Sequence, residues 1–311
     1  MNGRSREVRR GAVITVAVVL ALTAVAAAAG HPQQSQRSSA QPPWILFTAR
    51  SPGHGVEQIF RVKQSGAGRK QLTRGTYPSA APAFSPDGKR IAFARLGAGI
   101  FTMNLDGTGV RRLTSNDRDS FPAWSPDGKQ IAFVRPLASG WRIFVMSASG
   151  SGERQLRQAP PSGRPSWTSR GLVIPTEGDL ARIDPRSGRV QKLYGAPIDA
   201  SVGMDATAVS PDLSTLTFVG ARQPDRGDKE CGDGLPCPRF ALYIHDLRKH
   251  TEPRILVRDA GPASFSSDGK SLAFVAGHRV VLWRLANGAS SAVKIGNLFP
   301  TTSSPPVWQP S

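Results

Sequence analysis

The sequence predicts an all-β fold: a six-bladed β-propeller of four-stranded antiparallel blades, closed by its C-terminal strand joining the N-terminal blade. Three observations carry this. The phrase Phe84-Ser85-Pro86-Asp87-Gly88-Lys89-Arg90-Ile91-Ala92-Phe93 returns as Trp124-Ser125-Pro126-Asp127-Gly128-Lys129-Gln130-Ile131-Ala132-Phe133 and, weaker, as Phe265-Ser266-Ser267-Asp268-Gly269-Lys270-Ser271-Leu272-Ala273-Phe274. Each copy begins a unit of about 40 residues with four short β-forming runs, the length of a propeller blade. The chain also stops on what reads as a first strand, while its patterned part opens on what reads as a second.

The elements follow in order. Trp44-Ile45-Leu46-Phe47-Thr48 reads as a second strand, Gln58–Val62 as a third and Lys70–Thr73 as a fourth. In the next unit, the Asp-Gly pair after Ser85 and Pro86 is expected to form a two-residue hairpin turn. The apolar run Ile91–Ala94 then forms a buried strand. Ile100–Asn104 follows, then a turn at Leu105-Asp106-Gly107-Thr108, then the basic run Val110–Thr114. The third unit repeats this with Ile131–Val134, Ile143–Ser147 and Glu153–Leu156. The anchoring residue before each first turn (Phe84, Trp124, Trp167, Val209, Phe265, Trp308) recurs at spacings of 40, 43, 42, 56 and 43. The fourth anchor keeps Ser210-Pro211-Asp212 but has Leu213 where the others have glycine, and the long step marks an insertion at 221–239. Strand Val307-Trp308 should complete the first blade, because an open ring leaves exposed sheet edges.

The run Pro82–Phe93 with Met103–Thr108 and Arg111–Thr114 resembles the propeller repeat of the TolB family, a WD-like repeat with a Ser-Pro-Asp-Gly core. The resemblance is strong over 80–156, weaker over 262–285, and elsewhere rests on spacing. It implies a propeller. It does not extend to the α/β domain that precedes the propeller in TolB, whose place is held here by a short linker. Nor is there the α/β-hydrolase domain of prolyl-oligopeptidase-type proteins.

Residues 1–29 read as a signal peptide or an N-terminal membrane anchor: Arg4, Arg6, Arg9 and Arg10 precede an uncharged apolar run from Ala12 to Ala29. Either reading places the remainder outside the cytoplasm, since positive charge stays inside. Residues 30–43 form a polar, proline-bearing flexible linker and 44–311 the propeller. The two cysteines, Cys231 and Cys237, both in the insertion, are expected to form a disulfide in an oxidising compartment.

The formal net charge of +18 favours anionic partners. Export excludes nucleic acid and leaves anionic lipid or envelope polymer, while solvated outer-strand arginines (Arg111, Arg112, Arg154, Arg189, Arg254) are the alternative reading. Catalytic signals are missing. There is no Gly-x-Ser-x-Gly elbow, and Gly269-Lys270-Ser271 is a hairpin turn rather than a phosphate loop. The five histidines (His31, His54, His245, His250, His278) show no ligand spacing. The turn aspartates Asp87, Asp127 and Asp268 recur once per blade, as turn residues do and an active site does not. No catalytic residue, metal ligand or cofactor is assigned. Asp117, Asp119, Asp205 and Asp259 stand where a channel calcium would bind, or cap turns. The expected function is a non-catalytic, monomeric binding module of the cell envelope with a protein partner. Tyr77, Asp117, Asp119, Phe121, Arg164, Asp259 and the insertion are the candidate contacts. The alternatives are a metal-dependent lyase or lactonase and a binder of anionic envelope polymers.

Overall fold

The computed structural model describes residues 44–52, 55–156, 163–176, 179–195, 207–222, 239–249, 251–302 and 304–310. Segments 1–29 and 30–43, Cys231, Cys237 and insertion residues 223–238 lie outside them. The described residues contain twenty-five strands in six antiparallel sheets and no helix. Blade one holds β1 (Trp44–Arg50), β2 (Gln58–Lys63) and β3 (Lys70–Gln71). Blade two is β4 (Ser79–Phe84), β5 (Arg90–Arg95), β6 (Gly99–Asn104) and β7 (Arg111–Arg112). Blade three is β8 (Ser120–Trp124), β9 (Gln130–Leu137), β10 (Gly140–Ser147) and β11 (Arg154–Gln155). Blade four is β12 (Ser166–Thr168), β13 (Gly171–Thr176), β14 (Asp179–Ile183) and β15 (Val190–Gly195). Blade five is β16 (Ala208–Val209), β17 (Thr215–Arg222), β18 (Arg239–Asp246) and β19 (Arg254–Arg258). Blade six is β20 (Ala260–Phe265), β21 (Ser271–Ala276), β22 (Arg279–Arg284) and β23 (Ser290–Val293). Two last strands, β24 (Phe299–Pro300) and β25 (Val307–Trp308), return to β1.

The recurring phrase builds a wider turn than a two-residue hairpin. The Ser85 amide donates to the Arg90 carbonyl at 2.9 Å, so Pro86 to Lys89 form the loop, and only Gly88 has positive φ, at 65°. The reason is side-chain bonding. The Ser85 hydroxyl donates to Asp87 Oδ1 (2.6 Å), which also accepts the Lys89 amide, while the Arg90 amide donates to Ser85 Oγ. These bonds hold the Asp87 carboxyl below its ordinary range, the Ser85 hydroxyl contributing most. Blades three and six repeat the set on Ser125/Asp127 and Ser266/Asp268.

Apolar strand faces bury between blades. Cross-strand rings stack inside blades one to three: Phe47 on Phe60, Phe93 on Phe101 and Phe133 on Phe144, all with centroids 5.7 Å apart. Such pairs add about 0.5–1.5 kcal/mol beyond their buried area. Apolar clusters then join blade six to one, one to two, two to three, three to four and five to six.

The outer strands of blades one to three are two residues long, shorter than the basic runs imply. Leu72, Leu113 and Leu156 leave the edge to pack in the clusters shared with the next blade, their amides bonded to Ile59, Ile100 and Ile143. The first residue of each outer strand latches onto the next blade's turn: Lys70 to the Asp106 carbonyl, Arg111 to that of Ser149 and Arg154 to that of Pro185. Part of the basic edge is therefore inter-blade fastening.

Closure follows the expected one-plus-three pattern. Ile45 pairs with Trp308 and Leu46 with Val307. Gln309 clasps the joint: its amide donates to the Trp44 carbonyl, its Oε1 accepts the Trp44 amide, and its Nε2 donates to the Gly88 carbonyl of blade two.

Candidate interaction surface

The register gives the ring two unlike faces. Ser79 pairs with Arg95, so the start of an inner strand lies beside the loop after the second strand, and the Leu96 amide donates to the Pro78 carbonyl. We call this the entry face; the Ser-Asp turns occupy the opposite, turn face. Large exposed apolar side chains gather on the entry face. Tyr77 (56% exposed) precedes β4 and Leu96 follows β5. Leu137 and Trp141 (37%) flank the β9–β10 hairpin tip, Phe240 begins the exposed end of β18, and Phe299 (50%) starts β24. His278 meets Phe299 edge-on at 5.9 Å. The other exposed apolar residues of comparable size, Val110, Val190 and Ile255, lie singly at outer strands.

Each residue expected from the sequence has a distinct place. Tyr77 and Asp117 are exposed on the entry face, as is Asp259 at the start of β20, with φ of 51°. Asp119 is 1% exposed and bound by Arg135, whose Nε and Nη2 donate to Oδ1 and Oδ2 at 2.6 and 2.7 Å. Glu153 accepts a second set from the same guanidinium. The two acids hold Arg135 above its ordinary range, the Asp119 bonds being the largest cause. Phe121 sits at the bulge of β8, half-buried with φ of 53°, against the cluster of blades three and four. Arg164 (9% exposed) donates to the Pro82 carbonyl at 2.9 Å, tying blade four to blade two past the inner strand of blade three. The insertion joins β17 to β18, and the pairing of Arg222 with Arg239 brings both its stems out on the entry face.

Tyr77, Asp117, Asp259 and the insertion stems thus share a face, while Asp119, Phe121 and Arg164 are held inside. Sequence reasoning missed Leu96, Leu137, Trp141, Phe240 and Phe299. The signal available was an apolar residue at a hairpin tip just past a buried run. It also missed Arg135, whose acid partners are visible only once the blade is folded. Among the described residues no three His, Cys, Asp or Glu side chains gather as a metal site would. On the turn side, a groove of about 970 Å³ between blades three and four is lined by Arg170, Arg182, Arg186 and Arg189. Its acids, Asp127 and Asp184, are bonded within their own turns.

Residues 39–179 match the family model of the TolB beta propeller domain. No curated protein matches the sequence. Among solved structures, TolB from Acinetobacter baumannii is similar with a TM-score of 0.64 at 18% identity, over 86% of this chain and 67% of that one. A putative TolB from Agrobacterium tumefaciens reaches 0.51 at 16% identity, over 81% and 88%. A chain of the nidogen/laminin complex reaches 0.56 at 14%, over 79% and 91%. At such identities the likeness shows the fold alone. The repeat, the sheet order and the family match agree: the chain is a six-bladed β-propeller, and residues 39–179 of it match the TolB beta propeller domain.

Proposed function

We propose that the protein is an exported, non-catalytic binding module of the cell envelope whose entry face docks a protein partner. One observation carries the reading: Tyr77, Leu96, Leu137, Trp141, Phe240 and Phe299 stand on a single face while the opposite face is built of polar, internally bonded turns. Aromatic side chains grouped on one surface are the usual anchors of protein interfaces. Loops held by a rigid ring present them with little ordering cost. The basic leader and apolar run at 12–29 support export. The test is co-purification from envelope fractions with the full chain. Trp141→Ser combined with Phe299→Ser should lose the partner, whereas Lys129→Ser on the turn face should retain it. Retention should survive about 1 M salt, where the screening length is about 3 Å. Equal loss in both variants contradicts the reading.

The arginine-lined groove of blades three and four supports a second reading, docking of an anionic envelope polymer. That binding would collapse within a few hundred millimolar salt and respond to Arg170→Ser and Arg186→Ser rather than to Trp141.

A further inference from the structure

Arg95 and Arg135 hold the same place in adjacent blades, and their surroundings differ in one respect. Each ends the buried run of a second strand and stacks on that blade's ring pair. The Arg95 guanidinium lies 4.7 Å from the Phe101 centroid and 5.7 Å from Phe93; that of Arg135 lies 4.4 Å from Phe144 and 5.4 Å from Phe133. Arg135 is bonded by Asp119 and Glu153. The position of Asp119 is Ser79 in blade two, and that of Glu153, just ahead of the outer strand, is Val110. Blade two keeps the cation and lacks both acids.

Two buried atoms record the difference. Among the described residues Arg95 Nε has no hydrogen-bond partner, and neither has Ser79 Oγ, whose residue is 0% exposed. A buried guanidinium is ordinarily paired with a carboxylate, and leaving one side of such a pair unmade is costly. Here both atoms are in place, and no described residue supplies an acceptor for Arg95 Nε or a partner for Ser79 Oγ. The two atoms lie just beneath the entry face, where half-buried Arg95 is followed by exposed Leu96 and where the exposed Tyr77 ring runs beside Gly97. The loop carrying Tyr77 is fixed from below, since Gln58 Nε2 donates to the Gly75 and Tyr77 carbonyls at 3.2 and 3.3 Å.

We propose that Arg95 and Ser79, flanked by Tyr77 and Leu96, form a receptor for a carboxylate of the docked protein partner. The ligand oxygens would occupy in blade two the place that the Asp119 carboxylate holds in blade three. Arg95 donates from Nε and Nη, a fork that fits a carboxylate, and the Ser79 hydroxyl adds a third donor. The partner is a chain that presents an acidic side chain or its C-terminus next to an apolar residue. This inference rests on the protein-docking reading above and names the chemistry that reading leaves open.

The test compares the two arginines by NMR of their Nε–Hε groups in the full chain, titrated with sodium acetate against sodium chloride at constant ionic strength. Arg95→Lys assigns the resonance. The Arg95 signal should move saturably with acetate and not with chloride, while the Arg135 signal stays. Ser79→Asp builds the blade-three carboxylate into blade two; it should abolish the acetate response and raise Tm, whereas Ser79→Ala should weaken acetate binding severalfold with Tm unchanged. Equal shifts at both arginines, an acetate response that survives Ser79→Asp, or a lowered Tm in that variant overturns the proposal. If a partner is captured through Trp141 and Phe299 yet Ser79→Asp captures it equally well, the carboxylate receptor fails and the docking face stands. If capture ignores Trp141 and Phe299, the docking reading itself fails whatever acetate does.

Discussion

Blades three and five close their first turn with the same bonds on different residues. In blade three the Ser125 hydroxyl donates to Asp127 at 2.6 Å and Gly128 takes φ of 68°. In blade five Ser210 donates to Asp212 at 2.6 Å, but Leu213 is forced to φ of 60°. A side chain in that left-handed region costs about 1–2 kcal/mol. Blade five offsets this on the aspartate: Asp212 accepts both the amide and the hydroxyl of Ser214, and its pKa falls to about 2, the Ser210 bond contributing most. The setting differs too. Blade three shares one apolar cluster with blade two and another with blade four. Among the described residues Leu216 and Phe218 of blade five gather side chains of their own blade, and the blade shares a cluster with blade six alone. A blade therefore survives the loss of its glycine when the serine–aspartate bonds remain.

That contrast can be broken at several scales. Deleting residues 305–311 removes β25 and the Gln309 clasp, and should abolish the cooperative unfolding transition in calorimetry, because blade one loses its inner strand and the ring opens. Phe133→Ala, in the cluster between blades two and three, should cost about 3–5 kcal/mol in urea unfolding. Phe218→Ala in blade five should fall at or below the low end of that range. Asp212→Ala should lower Tm more than Asp127→Ala, since only the first holds a leucine in a left-handed turn; Leu213→Gly should stabilise by about 1 kcal/mol. A reversed order at this pair would mean that glycine, not the aspartate, sustains the turn.

The smallest effect is in pH. Asp87, Asp127, Asp212 and Asp268 all have lowered pKa in the fold, and Asp212 titrates near 2. An unfolded aspartate titrates near 4. Depressed carboxylates stabilise the fold above the unfolded pKa and lose that contribution as pH falls through the folded one. The urea midpoint should thus hold steady down to about pH 4 and decline between about 4 and 2. Asp212→Ala should flatten that decline more than Asp127→Ala.

Blade number and ring closure were legible because they depend on local chemistry. Turn residues and apolar runs repeat at fixed spacing, and Trp308 stands at the spacing of an anchor. The turn width was misread because Pro86 and the Ser85 hydroxyl add a second layer of bonding to the Asp-Gly pair. The site was legible only in part. Tyr77, Asp117 and Asp259 stand on the entry face, as loop positions before an inner strand should. Asp119 looked identical to Asp117 in the sequence, and only the pairing of β8 with β9 reveals its partner Arg135. Arg164 meets Pro82, 82 residues away in sequence, only once the blades stand side by side. The missed aromatics sit singly in their own blades and become a surface only when the ring aligns the blades' tips.

The central claim is that one face of the ring docks a protein. Hydrogen–deuterium exchange of the full chain, alone and with its captured partner, tests it most directly. Protection should appear at 77–79, 96–98, 137–141 and 299–302, with the turn segments 85–90 and 125–130 unchanged. Protection confined to those turns, or to the arginine-lined groove at 167–191, would contradict it.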